Sequence, residues 1–472
     1  MNEFSAYIAG EAVKGDGWID VINPYNGDVV GRVPSLSADH LELAVEKTHL
    51  SGRDALSRYE RSEILNKAKA ELNRRADEFS SLITSEAGLC VRESRYEVGR
   101  ASDVLQFAAM EALKDDGQIF SCDLTPHGKA RKIFTLREPV QCVGSITPFN
   151  HPLNQVAHKV APAIAAGAPT ILKPSLKTPL TAIRFAELLY ECGLPGWMLS
   201  VLTGPDSVIA EGLVKHPKVE LISFTGSEKI GKKIASEAGY KKLVLELGGN
   251  DPLIILEDAD LELAVKLACE GSFRNSGQRC TAVKRILVQK SILHEFTDAF
   301  VGMAAEYKAG DPVDPDTRVG TVIDEAAAME LERRVMDAVA SGARVLLGGR
   351  RVGALLEPTV IADVPRDCEM VVKESFGPLA PIMAIDDLDD AIQLTNSTAY
   401  GLSSGVVTKD LSKAIQAVRK LRVGTCNINE VPGYRIESSP FGGIKDSGLG
   451  IKEGVIEAMK FMTNIKTFSL PW

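Results

Sequence analysis

The sequence lacks the usual signatures of a metal site, a disulfide framework and a membrane segment. Its seven histidines form no HxxxH or HExxH pattern and its eight cysteines form no CxxC pair, so we expect no structural or catalytic metal. Cysteines spread this thinly indicate reduced thiols and a cytoplasmic location. No apolar run approaches the ~18 residues typical of a membrane span. The first ten residues carry no basic region followed by an apolar core, so no secretory signal is predicted.

The chain also has fewer basic than acidic residues. The chain has 54 Lys and Arg against 63 Asp and Glu, a formal net charge of −9, which argues against nucleic-acid or anionic-membrane partners. An anionic substrate would therefore need a local cationic pocket. What the chain does contain is an ordinary folded composition, 45% hydrophobic and 25% charged over 472 residues. That length predicts two or three domains.

Short apolar strands alternate with helical stretches between Val140 and Gly248. This alternation predicts an α/β fold with a parallel sheet covered on both faces, and ligands at the carboxyl ends of its strands. A second α/β series follows from Asn250 to about Asp446. The predicted strands of the first series are 143–146, 170–173, 199–202, 221–224 and 242–245, and those of the second include 253–256, 286–288 and 380–385. Helices are predicted at 39–48, 59–86, 92–113, 180–192, 207–215, 261–275 and 323–341.

Three polar stretches in this framework carry groups suited to chemistry. Cys280 follows a glycine, a glutamine and an arginine, Glu246 enters a glycine pair, and Asn150 precedes His151-Pro152. A thiol, a carboxylate and an amide from separate segments can act as nucleophile, general base and oxyanion donor. Each also has a simpler explanation: a buried apolar cysteine, a glutamate that ends a strand, and an asparagine that forms a turn.

The three stretches, in this order, resemble the aldehyde dehydrogenase superfamily, and the resemblance extends over essentially the whole chain. Within the superfamily the chain resembles the phosphonoacetaldehyde dehydrogenase group. That likeness rests on four segments: Tyr96–Arg100, Asn150–Pro152, Arg279-Cys280 and Pro432–Arg435. It implies a Rossmann-like parallel-sheet cofactor domain, a second α/β catalytic domain and a small β oligomerisation arm.

The resemblance also implies how the domains divide the chain. Residues 1–123 and 142–248 form the dinucleotide-binding domain, 249–446 the catalytic domain with the nucleophilic cysteine, and 124–141 and 459–472 the oligomerisation arm and tail. A homodimer or homotetramer is implied. The residues themselves leave one alternative open, because 128–137 mixes basic and β-forming residues and also fits a solvated edge strand whose charges discourage aggregation.

A cofactor site is indicated by the turn after the predicted strand 221–224. There a glycine and a helix N-terminus follow each other, which suits a pyrophosphate, although the turn is not the GxGxxG fingerprint and also fits a plain strand–turn–helix junction. The resemblance implies that NAD or NADP binds through three groups of residues. These are Gly226, Ser227 and Gly231 in the turn, Lys173 and Ser175 near the adenosine ribose, and Glu374 and Phe376 near the nicotinamide ribose.

The choice between NAD and NADP stays open. Many NAD-preferring relatives place a glutamate three residues after the lysine that corresponds to Lys173, but this chain has Leu176 there, followed by Lys177. The missing carboxylate removes repulsion of a 2′-phosphate, and a nearby ammonium attracts one. NADP use is therefore compatible with the sequence.

The chemistry we expect is attack of Cys280 on an aldehyde, an oxyanion held by Asn150, and hydrolysis of a thioester by water that Glu246 activates. The resemblance implies that the aldehyde is phosphonoacetaldehyde and that Arg100, His151 and Arg279 clasp its phosphonate, with Arg435 near the pocket mouth. Guanidinium groups suit phosphonate and carboxylate oxygens alike, so a carboxylate semialdehyde is an alternative substrate. The neutral aldehyde lactaldehyde is a further alternative.

Simpler explanations exist for the substrate residues as well. Arg279 can point away from the thiol, His151 can pack against Pro152, and Arg100 can be an ion-pairing residue on its helix. Two other functions also remain open, a CoA-acylating dehydrogenase in which a thiol resolves the thioester, and a non-catalytic dinucleotide-binding relative of the enzymes. The first would require CoA for turnover, and the second would release no NAD(P)H with any aldehyde.

Overall fold

A computed structural model describes residues 2–50, 56–451 and 453–472. The predicted range 1–123 therefore contains six residues, 1 and 51–55, that lie outside the described part of the chain. The helices are α1 (Ala38–Lys47), α2 (Arg58–Arg74), α3 (Ala76–Ala87), α4 (Val91–Ala112), α5 (Asn154–Ala166), α6 (Leu180–Glu191), α7 (Ile209–Lys215), α8 (Glu228–Glu237), α9 (Leu261–Phe273), α10 (Leu293–Ala304), α11 (Glu325–Ala340), α12 (Glu369–Val372), α13 (Leu388–Asn396), α14 (Leu411–Lys420) and α15 (Val455–Phe461).

The strands form two large sheets, a three-stranded arm and two hairpins. They are β1 (Ala6–Ile8), β2 (Glu11–Val13), β3 (Gly17–Ile22), β4 (Val29–Ser35), β5 (Ile119–Ser121), β6 (Arg131–Pro139), β7 (Val143–Ile146), β8 (Thr170–Lys173), β9 (Leu199–Val201), β10 (Leu221–Thr225), β11 (Lys242–Glu246), β12 (Pro252–Ile255), β13 (Arg285–Gln289), β14 (Arg344–Leu347), β15 (Arg351–Val352), β16 (Leu355–Leu356), β17 (Thr359–Ala362), β18 (Leu379–Ile385), β19 (Ser403–Val407), β20 (Thr425–Ile428) and β21 (Thr463–Pro471).

The first sheet has the order β11-β10-β7-β8-β9-β1-β2. Its first five strands are parallel, and the N-terminal hairpin adds β1 and β2 antiparallel at one edge. Every residue of β7, β8, β9 and β10 is buried. Strands covered on both faces are rich in apolar side chains, which explains why the largely apolar runs in the sequence predicted them.

The second sheet has the order β14-β17-β18-β13-β12-β19-β20 and is parallel except for β14. The predicted strands 253–256, 286–288 and 380–385 correspond to β12, β13 and β18. Both sheets confirm the predicted α/β fold. The single helix predicted over 59–86 is wrong, because Arg75 takes non-helical angles between α2 and α3 (φ −99°, ψ 20°) while the apolar spacing continues across it.

The arm is the antiparallel sheet β21-β6-β5, in which the tail strand pairs along β6 from Thr463 opposite Pro139 to Pro471 opposite Arg131. The Phe134 and Phe468 rings stack at 5.2 Å across this pair, while most of β21 is exposed. Within the described ranges, no helix is both long and apolar enough to cross a membrane.

The topology brings the two large sheets end to end. Strands β8, β7, β10 and β11 are neighbours and parallel, so the residues that follow them emerge at one edge of the first sheet. Gly248 and Gly249 connect that edge to the start of β12, and β12, β13 and β18 begin side by side in the second sheet. Polar groups after β7, β8, β10 and β11 therefore meet groups that precede β13 and β18.

Candidate active site

Asn150 is anchored to the loop that carries Cys280. It lies four residues beyond β7 and is 6% exposed. Its Nδ2 donates to the carbonyl oxygen of Gln278 at 2.8 Å, and the Asn275 side chain donates to the Asn150 carbonyl at 3.0 Å. These reciprocal bonds fix the amide on the segment that immediately precedes the thiol.

The loop itself turns sharply after α9. Asn275, Ser276 and Gly277 adopt positive φ angles of 57°, 52° and 68°, a run of left-handed residues that ends the helical segment. A Cβ on Gly277 would lie 2.1 Å from the carbonyl oxygen of Gly377, so only glycine fits there. The turn delivers Cys280, half-buried, ahead of β13.

The Cys280 thiol has an anionic environment. Burial raises the pKa of Cys280 to about 12, the carboxylates of Glu374, Asp251 and Glu246 raise this pKa as well, and the Arg435 guanidinium lowers it. Burial and the neighbouring acids therefore favour the protonated thiol, and positive charge near the sulfur favours the nucleophilic thiolate.

Glu246 ends β11 and is 3% exposed. Its carbonyl accepts a 3.0 Å hydrogen bond from the Gly226 amide of the cofactor turn, and Glu246 forms an isolated bridge with Gly448. A Cβ on Gly442 would lie 2.6 Å from Glu246 Oε1, so the chain passes close to the carboxylate on that side. The structure thus brings Cys280, Asn150 and Glu246 together around one site.

A groove of about 400 Å³ lies at the carboxyl edge of the first sheet. Its lining includes the predicted cofactor residues Lys173, Ser175, Gly226 and Ser227, together with Leu176, Pro148 and Phe224. Ser227 caps α8 by accepting from the Ile230 amide. The groove combines the backbone N–H donors at the N-terminus of α8 with apolar lining side chains, and this combination suits a dinucleotide.

The predicted cofactor residue Gly231 does not line the groove, and neither does Lys177, whose ammonium was expected to attract a 2′-phosphate. Gly231 allows α8 to approach β11, because a Cβ there would lie 2.4 Å from a methyl carbon of Leu247. The ammonium of Lys177 pairs with Asp324 at 3.1 Å, so it is engaged by α11's N-cap residue. At the adjacent position, Leu176 presents an apolar side chain to the groove.

Glu374 lies against the glycine pair that connects the two sheets. Its Oε1 accepts from the Gly249 amide at 3.1 Å, and a Cβ on Gly248 would lie 2.2 Å from Oε2. Burial raises the pKa of Glu374, and the Lys284 ammonium opposes that rise. Phe376 meets Phe149 edge to face with ring centroids 5.9 Å apart. The predicted nicotinamide-side residues therefore lie between the groove and the thiol.

The predicted substrate residues form a cationic cluster around His151. Burial lowers the pKa of His151 well below its ordinary value, and the guanidinium groups of Arg100, Arg279 and Arg435 lower this pKa further. Burial and the charges of three arginines thus all favour the neutral imidazole of His151. The sequence left open whether Arg435 lines the substrate pocket. Arg435 belongs to this cluster and also lowers the pKa of Cys280.

The buried carboxylate of Glu437 pairs with two of these arginines. Glu437 Oε1 accepts from Arg100 Nε at 2.5 Å, and Oε2 pairs with His158 Nε2 at 2.6 Å and with Arg435 Nε at 3.8 Å. Glu437 offsets one of the three positive charges. The cluster therefore keeps an excess of positive charge that an anionic group can neutralise.

Arg279 is partly turned away from the thiol. Its terminal nitrogen donates to the carbonyl oxygens of Glu270 and Gly271 at 3.1 and 2.8 Å, at the end of α9. Burial lowers the pKa of Arg279 to about 10, with Arg274 and Arg100 contributing in the same direction. Its Nε is buried and has no hydrogen-bond partner in the described part of the chain, so this guanidinium keeps a free donor.

Sequence reasoning missed two charged residues of the site, Glu437 and Lys284. Lys284 is 2% exposed and donates to the carbonyl oxygens of Gly277 and Ser375. Charged residues are mostly exposed, so neither position stands out in a sequence. The available signal was proximity along the chain, because Glu437 lies two residues after Arg435 and Lys284 four after Cys280.

Comparison with known proteins identifies the chain's relatives. The sequence profile described as Aldehyde dehydrogenase family matches residues 12–468. A 3-sulfolactaldehyde dehydrogenase of Priestia aryabhattai is 38% identical over 463 residues, covering 98% of this chain and 97% of the relative.

Solved structures agree with that result. Aldehyde dehydrogenase 21 of Physcomitrella patens, in complex with the reaction product succinate, superposes with a TM-score of 0.96 at 37% identity, covering 99% of this chain and 98% of that one. The glyceraldehyde-3-phosphate dehydrogenase GapN of Methanocaldococcus jannaschii, complexed with NADP, superposes with a TM-score of 0.91 at 37% identity and covers 96% and 99% of the two chains.

Proposed function

The chain belongs to the aldehyde dehydrogenase family, and we propose that this NAD(P)-dependent enzyme oxidises a small anionic aldehyde, with phosphonoacetaldehyde as the preferred substrate and phosphonoacetate as the product. The observation that carries the proposal is the group of three arginines, Arg100, Arg279 and Arg435, that acts on the buried His151, with Glu437 pairing with Arg100 and Arg435. Such a cluster is costly to bury unless an anion neutralises it.

The relatives support an anionic head group. The similar Priestia enzyme is named for a sulfonated aldehyde, and the Physcomitrella structure contains the dicarboxylate succinate. Sulfonate and phosphonate are both tetrahedral groups of three oxygens, which arginine forks bind through paired hydrogen bonds. The phosphonate assignment goes one step further, since it rests on the match of Arg100, His151 and Arg279 to one group of the family.

In the proposed reaction Cys280 is the nucleophile. Its proton leaves to Glu246, directly or through a water, and the sulfur then attacks the aldehyde carbon to form a C–S bond. The Asn150 amide and the Cys280 backbone N–H hold the resulting oxyanion, and each such donor contributes ~3 kcal/mol to the barrier reduction. When bound, the nicotinamide supplies the acceptor for the hydride.

The remaining steps belong to the chain's own residues. After Glu246 has passed the thiol proton to solvent, its carboxylate takes a proton from a water whose oxygen adds to the thioester carbon on Cys280. The C–S bond then breaks, the departing sulfur takes the proton from Glu246, and the carboxylic acid and the Cys280 thiol are released. Lys173, Ser175, Gly226 and Ser227 would hold the cofactor along the groove, and Glu374 would hold its nicotinamide end. We keep NAD and NADP as alternatives.

The test is steady-state kinetics on phosphonoacetaldehyde, sulfoacetaldehyde, lactaldehyde and succinate semialdehyde, each with NAD and with NADP. We expect kcat/KM for phosphonoacetaldehyde to exceed that for lactaldehyde at least about tenfold, which corresponds to ~1.4 kcal/mol. Equal turnover of lactaldehyde or succinate semialdehyde would refute the phosphonate assignment. A requirement for CoA would replace water with a thiol as the final acceptor.

A Cys280→Ala variant tests the nucleophile separately. It should lose turnover with every aldehyde and still bind the cofactor, because the groove lies on the other side of Glu374. Retained dehydrogenase activity would contradict the scheme. The division into cofactor, catalytic and arm segments, the homodimer or homotetramer formed through the arm, and a cytoplasmic location stay predictions.

A further inference from the structure

One buried ammonium group joins the two segments that meet at the site. Lys284 Nζ donates to the carbonyl oxygen of Gly277 at 2.9 Å and to that of Ser375 at 2.8 Å. Gly277 lies in the turn that delivers Cys280, and Ser375 follows Glu374 directly. A single side chain therefore ties the nucleophile loop to the segment expected to hold the cofactor.

The Lys284 ammonium forms no salt bridge with the residues that the structure describes. Among the described residues, no carboxylate oxygen lies within 4.0 Å of Lys284 Nζ, whose other neighbour is the Phe376 ring at 5.0 Å. Burial lowers the pKa of Lys284, whereas Glu374, the thiolate form of Cys280 and Asp251 favour its charged form. A buried cation without a paired carboxylate is retained only where surrounding anions repay its desolvation.

The acids around the Cys280 thiol oppose its conversion to the thiolate unless nearby positive charge compensates. The titratable and charged groups that act on Cys280 or Lys284 are Glu374, Asp251, Glu246, Arg435 and Arg279. Three of these are acids. When Cys280 loses its proton, the thiolate adds one more negative charge to this set, so the position of each buried cation decides how much thiolate forms.

We propose that Lys284 is a positioning residue for the nucleophile: its ammonium holds the Cys280 loop against the Glu374 segment and supplies buried positive charge in favour of the thiolate. The inference rests on the proposed role of Cys280. It adds a function for a residue that touches neither substrate nor cofactor. With an uncharged side chain at 284, the thiolate faces three acids with Arg435 as the main opposing cation.

The test is the pH dependence of Cys280 alkylation by iodoacetamide in the enzyme saturated with cofactor. Lys284→Met, which keeps most of the length of the side chain and removes its charge, should raise the midpoint by about one unit or more and slow alkylation at pH 7 about tenfold. Cofactor affinity should fall as well, because Ser375 loses its tie to the loop. Lys159→Met is the matched control, since Lys159 is also a buried lysine but bonds Ser223 and Glu453.

Alkylation of Lys284→Met with a wild-type midpoint, together with a loss of thermal stability like that of Lys159→Met, would reduce Lys284 to a structural role. If Lys284→Met does not fold, the alkylation midpoints of Lys284→Arg and Lys284→Gln test the proposal instead. The arginine should keep the midpoint close to wild type and the glutamine should raise it, and equal midpoints in the two overturn the proposal. Activity retained by Cys280→Ala would instead refute the nucleophile itself, so the two failures are distinguishable.

Discussion

The side-chain amide of Asn150 donates a 2.8 Å hydrogen bond to the carbonyl oxygen of Gln278, two residues before the Cys280 thiol. This bond spans the two sheets, because Asn150 follows β7 of the first and Gln278 precedes β13 of the second. A primary amide has two N–H donors. One of them is committed to the loop, and the other remains for the oxygen of a bound aldehyde.

Replacing Asn150 with alanine should therefore lower kcat about 100- to 1000-fold, the usual cost of losing one oxyanion donor. Cofactor affinity, measured by fluorescence titration, should stay within about twofold because the groove is untouched. Asn154→Ala is the control, since that buried amide has no hydrogen-bond partner in the part of the chain that the structure describes. A similar loss of kcat in both variants would mean that the segment's packing matters and the oxyanion donor does not.

Arg100→Gln should raise KM for phosphonoacetaldehyde about 10- to 100-fold, because a hydrogen bond to a charged group contributes ~1.5–3 kcal/mol. Turnover of a neutral aldehyde such as propanal should hardly change. Arg95→Gln is a matched variant on α4, since Arg95 is exposed and pairs with Asp77 at 3.0 Å. If propanal and phosphonoacetaldehyde lose the same factor, Arg100 does not select for the anion.

Leu176→Glu should shift cofactor preference toward NAD. A carboxylate at this position in the groove repels a 2′-phosphate and can accept hydrogen bonds from the ribose hydroxyls. The ratio of kcat/KM with NADP to that with NAD should fall about tenfold or more. Leu176→Gln has nearly the same size without the charge, so an equal shift in that variant would attribute the effect to shape.

Glu86 should make stability depend on pH. This buried residue of α3 accepts hydrogen bonds from the Leu180 and Thr181 amides at the start of α6, and burial raises the pKa of Glu86 to about 7 while those bonds oppose the rise. The unfolded value is about 4.3. The folded state therefore binds more protons between these pH values, and the free energy of unfolding falls as pH rises through them.

Urea unfolding at pH 5 and pH 7.5 measures this contribution, which is at most about 3 kcal/mol for one group. Glu86→Gln should show a smaller loss between the two pH values than wild type, even if it is less stable at both. The exposed Glu46→Gln should keep the wild-type dependence. An unchanged slope in Glu86→Gln would show that Glu86 is ionised throughout.

The strands of the first sheet could be predicted almost to the residue because both of their faces are buried. Val143–Ile146 and Thr170–Lys173 are read from continuous apolar runs that only a covered parallel strand requires. The break between α2 and α3 could not be read in this way, since helical spacing of apolar residues continues across Arg75. Local backbone angles are set there by contacts that a periodic pattern does not encode.

Some residues of the candidate active site could likewise be predicted from the sequence, and others could not. Cys280, Asn150 and Glu246 are reactive residue types at turns, and turns at strand ends are visible in a sequence. Glu437 is different, because it acquires its role by pairing with Arg100, 337 residues away, and with His158, 279 residues away. Lys284 likewise gains its role from two backbone carbonyls that the fold brings together. Partners of buried charges depend on the tertiary structure, so residue type alone could not identify them.

The arm has a consequence for the order in which the chain is completed. Strand β5 precedes β6 closely and covers one of its edges early, but the other edge is covered by β21, and Arg131 lies 338 residues before its partner Ser469. At ~5–20 residues per second, ribosomal synthesis of that interval takes on the order of tens of seconds. Until β21 has been synthesised, β6 has one open edge with which neighbouring chains can pair, so a chain that lacks β21 leaves the hydrogen-bonding groups of that edge uncovered.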